Sequence, residues 1–579
     1  MASSRVFAPL RNPLFRAFWF STWLSNLGTW MHEVAAGWLM ASLSPEPLMV
    51  ACVQSAVTLP MFLLAIPAGA LADVVDRRKY LIVTQTWMML AAAAMAYLSY
   101  TGQLDAYRLI LLTFFLGIGT ALNSPGWHSV TPEIVARRNL AGAVALNGMA
   151  INGARALGPA LGGALLVKTG ASFAFLMNAI SFLGTVWILV AWRRKSKPQN
   201  APAERFVSAI RVGVQYSLHS PWLKVLIIRS AIFIAISSCQ WSLLPLLVKK
   251  DYGLGPTCYG SLMALFGIGA VLGGTQVLPR LRMRWSITAI VNGGWLVFSL
   301  CLVALSFGAD FNIQVADNTI PWLSSVAMLL AGCSWLTLLS SFHLTVQSGS
   351  PSWARARVMS VYIWSFFGAA TFGSAIWGWI AGYRGCPETL RIASVVLIVG
   401  LVLTYRLELL YRDASKLQPS GHWEDPKLAA PVPGEHGPML ITVEYEIAPE
   451  DASEFRQNLA RLKQFRMQNG VLRWGIFVDI ENPTLYREIY MEESWSAHLR
   501  HHQRVTQQEE DLAQKVYRLH RGPEGPKVTH LALCDEVFPG TDFDMAILLQ
   551  QEWTQERSEH EHESSLETEP SPDGFPHYR

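Results

Sequence analysis

Residues 69–79 read Gly69-Ala-Leu-Ala-Asp73-Val-Val-Asp76-Arg77-Arg78-Lys79. Five of the eleven carry a formal charge, yet the runs on either side, 48–71 and 80–100, are apolar. A helix needs about 20 apolar residues to cross a hydrocarbon core about 30 Å thick. A short basic turn between two such runs therefore reads as a loop joining two membrane spans. Working outward, comparable runs lie at 17–40, 107–127, 142–166, 172–192, 222–248, 258–279, 286–308, 320–346, 357–382 and 390–410. The expectation is an all-α polytopic membrane region over 1–412 with twelve transmembrane helices. The longest connection, 193–221, divides it into two six-helix halves, 1–192 and 222–412. Within that connection Phe206, Ile210, Val214 and Leu218 recur at helical spacing, which suits a helix lying on the membrane surface.

Charge placement fixes an orientation. The N-terminus and the even-numbered loops carry 19 Lys and Arg, among them Arg77, Arg78, Arg137, Arg138, Arg193, Arg280 and Arg355, against six on the other side. Short cytoplasmic loops are the basic ones, so both termini are expected in the cytoplasm of a cell whose plasma (inner) membrane holds the chain. The run after Arg16 is too long for a signal-peptide core and is read as a first helix that is retained.

Composition agrees. Of 579 residues 51% are hydrophobic and 15% charged, well below the roughly 25% charged of soluble domains. Residues 1–412 hold 30 basic and 12 acidic residues, whereas 413–579 hold 16 and 30. Such a shift marks two regions of different kind, and nothing in it suggests a nucleic-acid partner. The seven cysteines are scattered and never spaced as CxxC, so neither a disulfide framework nor a zinc site is indicated.

The two halves echo one another. Arg137–Arg138 followed by Gly158 and Gly163 is matched by Arg355 and Arg357 followed by Gly373 and Gly378, and the basic turn at 77–79 by Arg280–Arg284. Repeated halves with a substrate site between them are how many secondary transporters are built. The spans contain few charges. Glu33 is the one carboxylate well inside a span, with His32 beside it; Arg155 is a candidate partner for Glu33 or for an anionic substrate, and Arg229 is expected to snorkel toward the interface. A charge at bilayer centre costs at least about 2.5–3.5 kcal/mol. Glu33 and His32 are therefore the proton-coupling candidates, the competing reading being a protonated Glu33 that only bonds a neighbouring helix.

The 69–79 stretch resembles the signature loop of the major facilitator superfamily, Gly-x-Leu-x-Asp-x-x-Gly-Arg-Arg/Lys, matched at Gly69, Asp73, Arg77 and Arg78. Asp76 stands where the second glycine is usual, a departure similar to the enterobactin-exporter (transmembrane secretion effector) branch. Physically, Gly69 is expected to allow close helix approach, and Asp73 to cap a helix or pair with an arginine. A second stretch, Gly153-Ala-Arg155-Ala-Leu-Gly158-Pro159-Ala-Leu-Gly162-Gly163, is similar to the Gly-Pro-x-x-Gly-Gly motif of the exporting branches. That resemblance implies export rather than import. The arginine-centred motif of drug–proton antiporters is not visible in 107–127.

Beyond a Pro- and Gly-rich linker at 413–437, residues 438–536 alternate as strand 440–447, helix 449–468, strand 471–480, strand 484–491, helix 494–520 and strand 528–533. This β-α-β-β-α-β order predicts an α+β ferredoxin-like soluble domain. Glu493-Ser494-Trp495-Ser-Ala-His498 with His501 and His502 resembles antibiotic-biosynthesis monooxygenase domains, which are dimeric and need neither metal nor flavin. By that resemblance Trp495, His498 and His502 are pocket candidates and dimerisation through this domain is implied. No carboxylate or cysteine is spaced to complete a metal site with the three histidines; no metal and no cofactor are assigned. The acidic tail, 537–579, is expected to be mostly disordered.

The sequence thus points to a secondary active transporter in the lipid bilayer that exports a small organic molecule, siderophore-like or drug-like, against protons by alternating access. The alternatives are an importer or facilitator, or a membrane-anchored enzyme or sensor acting through the C-terminal domain.

Overall fold

The computed structural model describes residues 7–128, 130–192, 206–315, 318–409, 414–421, 432–434 and 436–533. The tail 537–579, much of the 413–437 linker and the Asp73 side chain lie outside the described residues. The chain is mostly helical. Among the described residues, ten stretches are long and apolar enough to cross a membrane: Pro47–Ala65, Arg77–Tyr100, Ala106–Ile134, Arg137–Ala191, Pro221–Asp251, Pro256–Arg282, Ile287–Ser306, Trp322–Gly349, Arg355–Arg384 and Cys386–Thr404. The 31-residue helix Pro13–Leu43 precedes them, started by Asn12, whose side-chain oxygen accepts from the Leu14 and Phe15 amides. Arg137–Ala191 is interrupted at Gly170, where φ is +74°. Only glycine adopts that conformation cheaply, so the break falls between the fifth and sixth expected spans. Large apolar side chains such as Leu90, Leu183 and Val395 stay on the outer faces, as they do where lipid replaces water.

Small residues set the packing. A methyl group added at Gly158 would stand 2.5 Å from Trp30 Cβ, and one at Gly163 would stand 2.9 Å from Gly260 Cα. The helix carrying them therefore lies backbone-close to Pro13–Leu43 of its own half and to Pro256–Leu272 of the other. Gly162 meets the backbone of Met31 in the same way, at 3.0 Å from its Cα. In the second half, a methyl at Gly373 would stand 2.3 Å from the Ala235 carbonyl oxygen, and at Gly378 2.4 Å from Ala51 Cβ. Helix Arg355–Arg384 is thus seated on Pro221–Leu246 of its own half and on Pro47–Val74 of the other. Each half uses the same two joints.

The C-terminal unit is a four-stranded antiparallel sheet in the spatial order Arg473–Val478, Leu485–Glu492, Met439–Glu446, Lys527–Ala532. Alternate residues Met439, Ile441, Val443 and Tyr445 are buried against Phe455, Leu459 and Leu462 of helix Ala452–Gln468. The stretch 494–520, expected as one helix, is two: Trp495–Arg504 and Gln507–Tyr517. Thr506 starts the second, its hydroxyl accepting from the Glu509 amide at 3.3 Å. A Thr-x-x-Glu pattern favours a helix start over a helix interior.

Helix Phe206–Leu218, expected on the membrane surface, meets protein through residues off its expected apolar stripe. Val212 and Tyr216 are buried, whereas Val214 and Leu218 of the expected stripe remain exposed. Gly213 lets it approach Arg357, to whose Cβ an added methyl would stand 2.9 Å. On its other side it meets the C-terminal unit: Gln468 Nε2 donates to the His219 carbonyl at 2.8 Å, Arg211 pairs with Glu493, and Val212 touches Gly470. Trp353 is held between the Tyr216 ring and the Arg504 guanidinium, 5.7 and 4.6 Å away.

Candidate functional site

A cavity of about 100 Å³ opens between the halves. The first half contributes Thr29, His32, Glu33, Gln54 and Thr113, the second Trp241 and Tyr259. Glu33 comes from Pro13–Leu43, the helix that Gly158 and Gly162 hold close, so its position follows from the small-residue joint. His32, on the same helix, is buried with its ring 4.6 Å from Phe175, and neither ring nitrogen has a partner among the described residues. Arg155 stands over the Trp30 ring at 5.4 Å, and its charge acts on Glu33 without an ion pair within 4.0 Å among the described residues. Sequence reading named Glu33, His32 and Arg155. It did not assign Trp241 or Tyr259, because nothing in a single helix says which aromatic residue of the other half will face it.

The loop residues act at helix ends. Asp76, the departure from the usual glycine, caps helix Arg77–Tyr100 by accepting from the Lys79 amide at 3.0 Å. An N-terminal carboxylate satisfies an otherwise unpaired amide and faces the positive helix end. Arg78 donates to the carbonyls of Leu189 and Val190 at 2.9 and 2.5 Å, capping the far end of another helix, and Arg77 pairs with Glu133. Gly69 departs from expectation. No described atom lies within 4 Å of a methyl group placed there, so no described residue makes a close approach at Gly69; among the described residues the glycines of the fifth and eleventh expected spans carry it. Arg229 also departs: fully buried rather than snorkelling, it donates to the Leu407 carbonyl at 2.9 Å, bonds Asn292 and lies 5.6 Å from the Trp295 ring.

In the C-terminal unit, His498 Nδ1 lies 2.9 Å from one Glu492 oxygen and His501 Nδ1 lies 2.5 Å from the other. Burial alone would raise the Glu492 carboxyl, but the His501 charge and the two imidazole hydrogen bonds hold it well below the usual carboxylate range. Burial would lower His501; the Glu492 carboxylate, with Glu509 behind it, raises it instead. His502 is lowered to about 3, first by burial and then by the neighbouring imidazoles. A second chain of contacts joins Arg466 to Glu488 and Glu509 at 3.4 and 3.6 Å, with Tyr445 and Trp474 donating to Glu488. Trp495 and His498 were named from sequence and are buried; His502 is half-buried. The glutamates were missed, although Tyr486, Glu488, Tyr490 and Glu492 alternate along one strand, which puts two carboxylates on a buried face.

The profile of the transmembrane secretion effector family matches residues 4–536, and so extends through the C-terminal unit. The chain is 22% identical over 406 residues to the staphyloferrin A transporter of Staphylococcus aureus, covering 70% of this chain and 98% of that one. It is 22% identical to the multidrug efflux pump Tap of Mycolicibacterium fortuitum (68% and 96% covered) and 21% identical to the enterobactin exporter EntS of Escherichia coli (68% and 91%). Among solved structures, a bacterial homologue of the human lysosomal transporter Spinster superposes with a TM-score of 0.52 at 13% identity, covering 69% of this chain and 97% of that one. That likeness shows the fold. The chain is therefore a multi-pass membrane protein and a member of the transmembrane secretion effector family of major facilitator transporters.

Proposed function

We propose that the chain exports a small organic molecule across the inner membrane in exchange for protons, by rocking of its two halves around the cavity at Glu33. The observation that carries this reading is a titratable carboxyl, Glu33, lining a cavity shared by both halves. A carboxyl whose surroundings change as the halves rock takes up a proton on one side and gives it up on the other. Counting Pro13–Leu43 as a span, and the break at Gly170 as a turn, gives twelve spans with both termini cytoplasmic. The relatives named for staphyloferrin A, enterobactin and multidrug efflux support a siderophore-like or drug-like substrate. The C-terminal unit is ferredoxin-like, monooxygenase-like in its Trp495–His502 stretch and suited to dimerisation. Its seat on the linker helix and Trp353 favours a regulatory role over a catalytic one.

Inverted vesicles containing the chain test the proposal. With an inward-acid gradient they should accumulate one of a panel of siderophores and lipophilic drugs, and collapse of the gradient should release it. Accumulation that ignores the gradient overturns proton coupling; accumulation only in right-side-out vesicles overturns export. A reporter fused after Arg412 that is active only outside the cytoplasm overturns the twelve-span topology.

A further inference from the structure

We propose that His498, His502 and His530 form a site for one borderline divalent transition-metal ion, of the zinc or cobalt(II) kind, on the C-terminal unit. The inference is independent of the transport reading. Helix Trp495–Arg504 supplies His498 and His502 one turn apart, and strand Lys527–Ala532 supplies His530, which pairs with Ile441 and so faces the helices. One nitrogen from each ring lies within 4.8 Å of the other two. Three nitrogens about 2.0–2.1 Å from a tetrahedral zinc stand roughly 3.4 Å apart. Small rotations of His502 and His530, both half-buried, close that gap.

Three features point to a cation rather than to a chance meeting of rings. His498 Nε2 and His502 Nε2 face each other at 3.0 Å. An ionised carboxylate only accepts hydrogen bonds, so Glu492 fixes the proton of His498 on Nδ1. The Nε2 lone pair of His498 is then aimed at a second imidazole nitrogen, and only a shared proton or a metal ion relieves that opposition. Second, Glu492 stands to His498 as a carboxylate does behind a metal-bound histidine, orienting the ring and raising its basicity. Third, Trp495 lies 5.4 and 6.1 Å from the His498 and His530 rings and walls one side with apolar surface. Neutral imidazoles select zinc, cobalt, nickel and copper over magnesium and calcium. Three protein ligands leave a coordination position open.

The test uses the full chain in detergent with cobalt(II) chloride, read by its visible absorption bands and by bound metal per chain. The tail histidines are removed as competitors by His560→Ala, His562→Ala and His577→Ala. In that background one cobalt per chain is expected, displaced by zinc chloride. His530→Ala and His502→Ala should each abolish the stoichiometric binding, and Glu492→Gln should weaken it by about 10–100-fold. Melting curves accompany each variant, and the half-buried His502 serves if His530→Ala fails to fold. Cobalt bands that survive both His→Ala changes, that vanish with the tail histidines, or that never reach one per chain overturn the proposal. A plain His498–His502 hydrogen bond is then what remains.

Discussion

The two halves of the membrane region are joined alike and charged differently. Gly158 and Gly163 seat one helix on Trp30 of its own half and Gly260 of the other; Gly373 and Gly378 seat its counterpart on Ala235 and Ala51. Three residues beyond those own-half contacts the halves diverge, with Glu33 in the first and Ser238 in the second. Ser238 bonds back to the Ala235 carbonyl at 2.8 Å, whereas Glu33 faces the cavity. The cations differ too, since Arg155 acts on Glu33 across space while Arg229 is bonded to Leu407 and Asn292. Glycine contacts that recur in both halves belong to the scaffold, and polar groups present in one half alone are where coupling is to be sought.

The sharpest way to break this comparison is to neutralise its asymmetry. Glu33→Gln should abolish gradient-driven accumulation while leaving energy-independent exchange, and Ser238→Ala should leave both intact. Normal uphill transport by Glu33→Gln removes Glu33 from coupling. Next in size, Gly163→Val and Gly378→Val overpack equivalent joints, and overpacking costs about 1–3 kcal/mol. Both should lower the melting temperature and the transport rate to a similar degree; tolerance of one and not the other would show the joints to be unequal. Arg229→Met strips the Leu407 carbonyl and Asn292 of their buried donor. An unsatisfied buried group costs about 1–3 kcal/mol, so thermostability should fall while the dependence of transport on the proton gradient is unchanged. Smallest of all, Gly69→Ala should change stability by no more than about 0.5 kcal/mol, because nothing described lies within reach of the added methyl.

How much of this was legible in the sequence depends on the range of the force involved. Spans, loop charges and the fifth-span glycines are written in local hydropathy and spacing, and the described helices follow them. Asp76 is likewise a local matter, a cap one residue before its helix. Gly69 misled because a small residue permits close approach without saying that any neighbour will make it. The linker helix shows the same limit: its apolar spacing announced an amphipathic helix, but Val212 and Tyr216, off the expected stripe, found the protein contact. The break at Val505 was readable in Thr506-x-x-Glu509 and was outweighed by the apolar periodicity on either side. His530 was beyond reach, since it joins His498 only when the last strand pairs with Met439–Glu446.

The anchorage of the C-terminal unit has a mechanical consequence. Arg211 and Val212 belong to the linker helix and His219 directly follows it; that helix is wedged on Arg357, and Trp353 sits at the foot of the second-half helix that carries Arg357. On the proposed rocking of the halves, the unit is held to the second half and would turn with it. Its outer sheet edge is strand Arg473–Val478. A pair of spin labels, one on that edge and one on the first half, would read a tilt between the halves as a change in their separation.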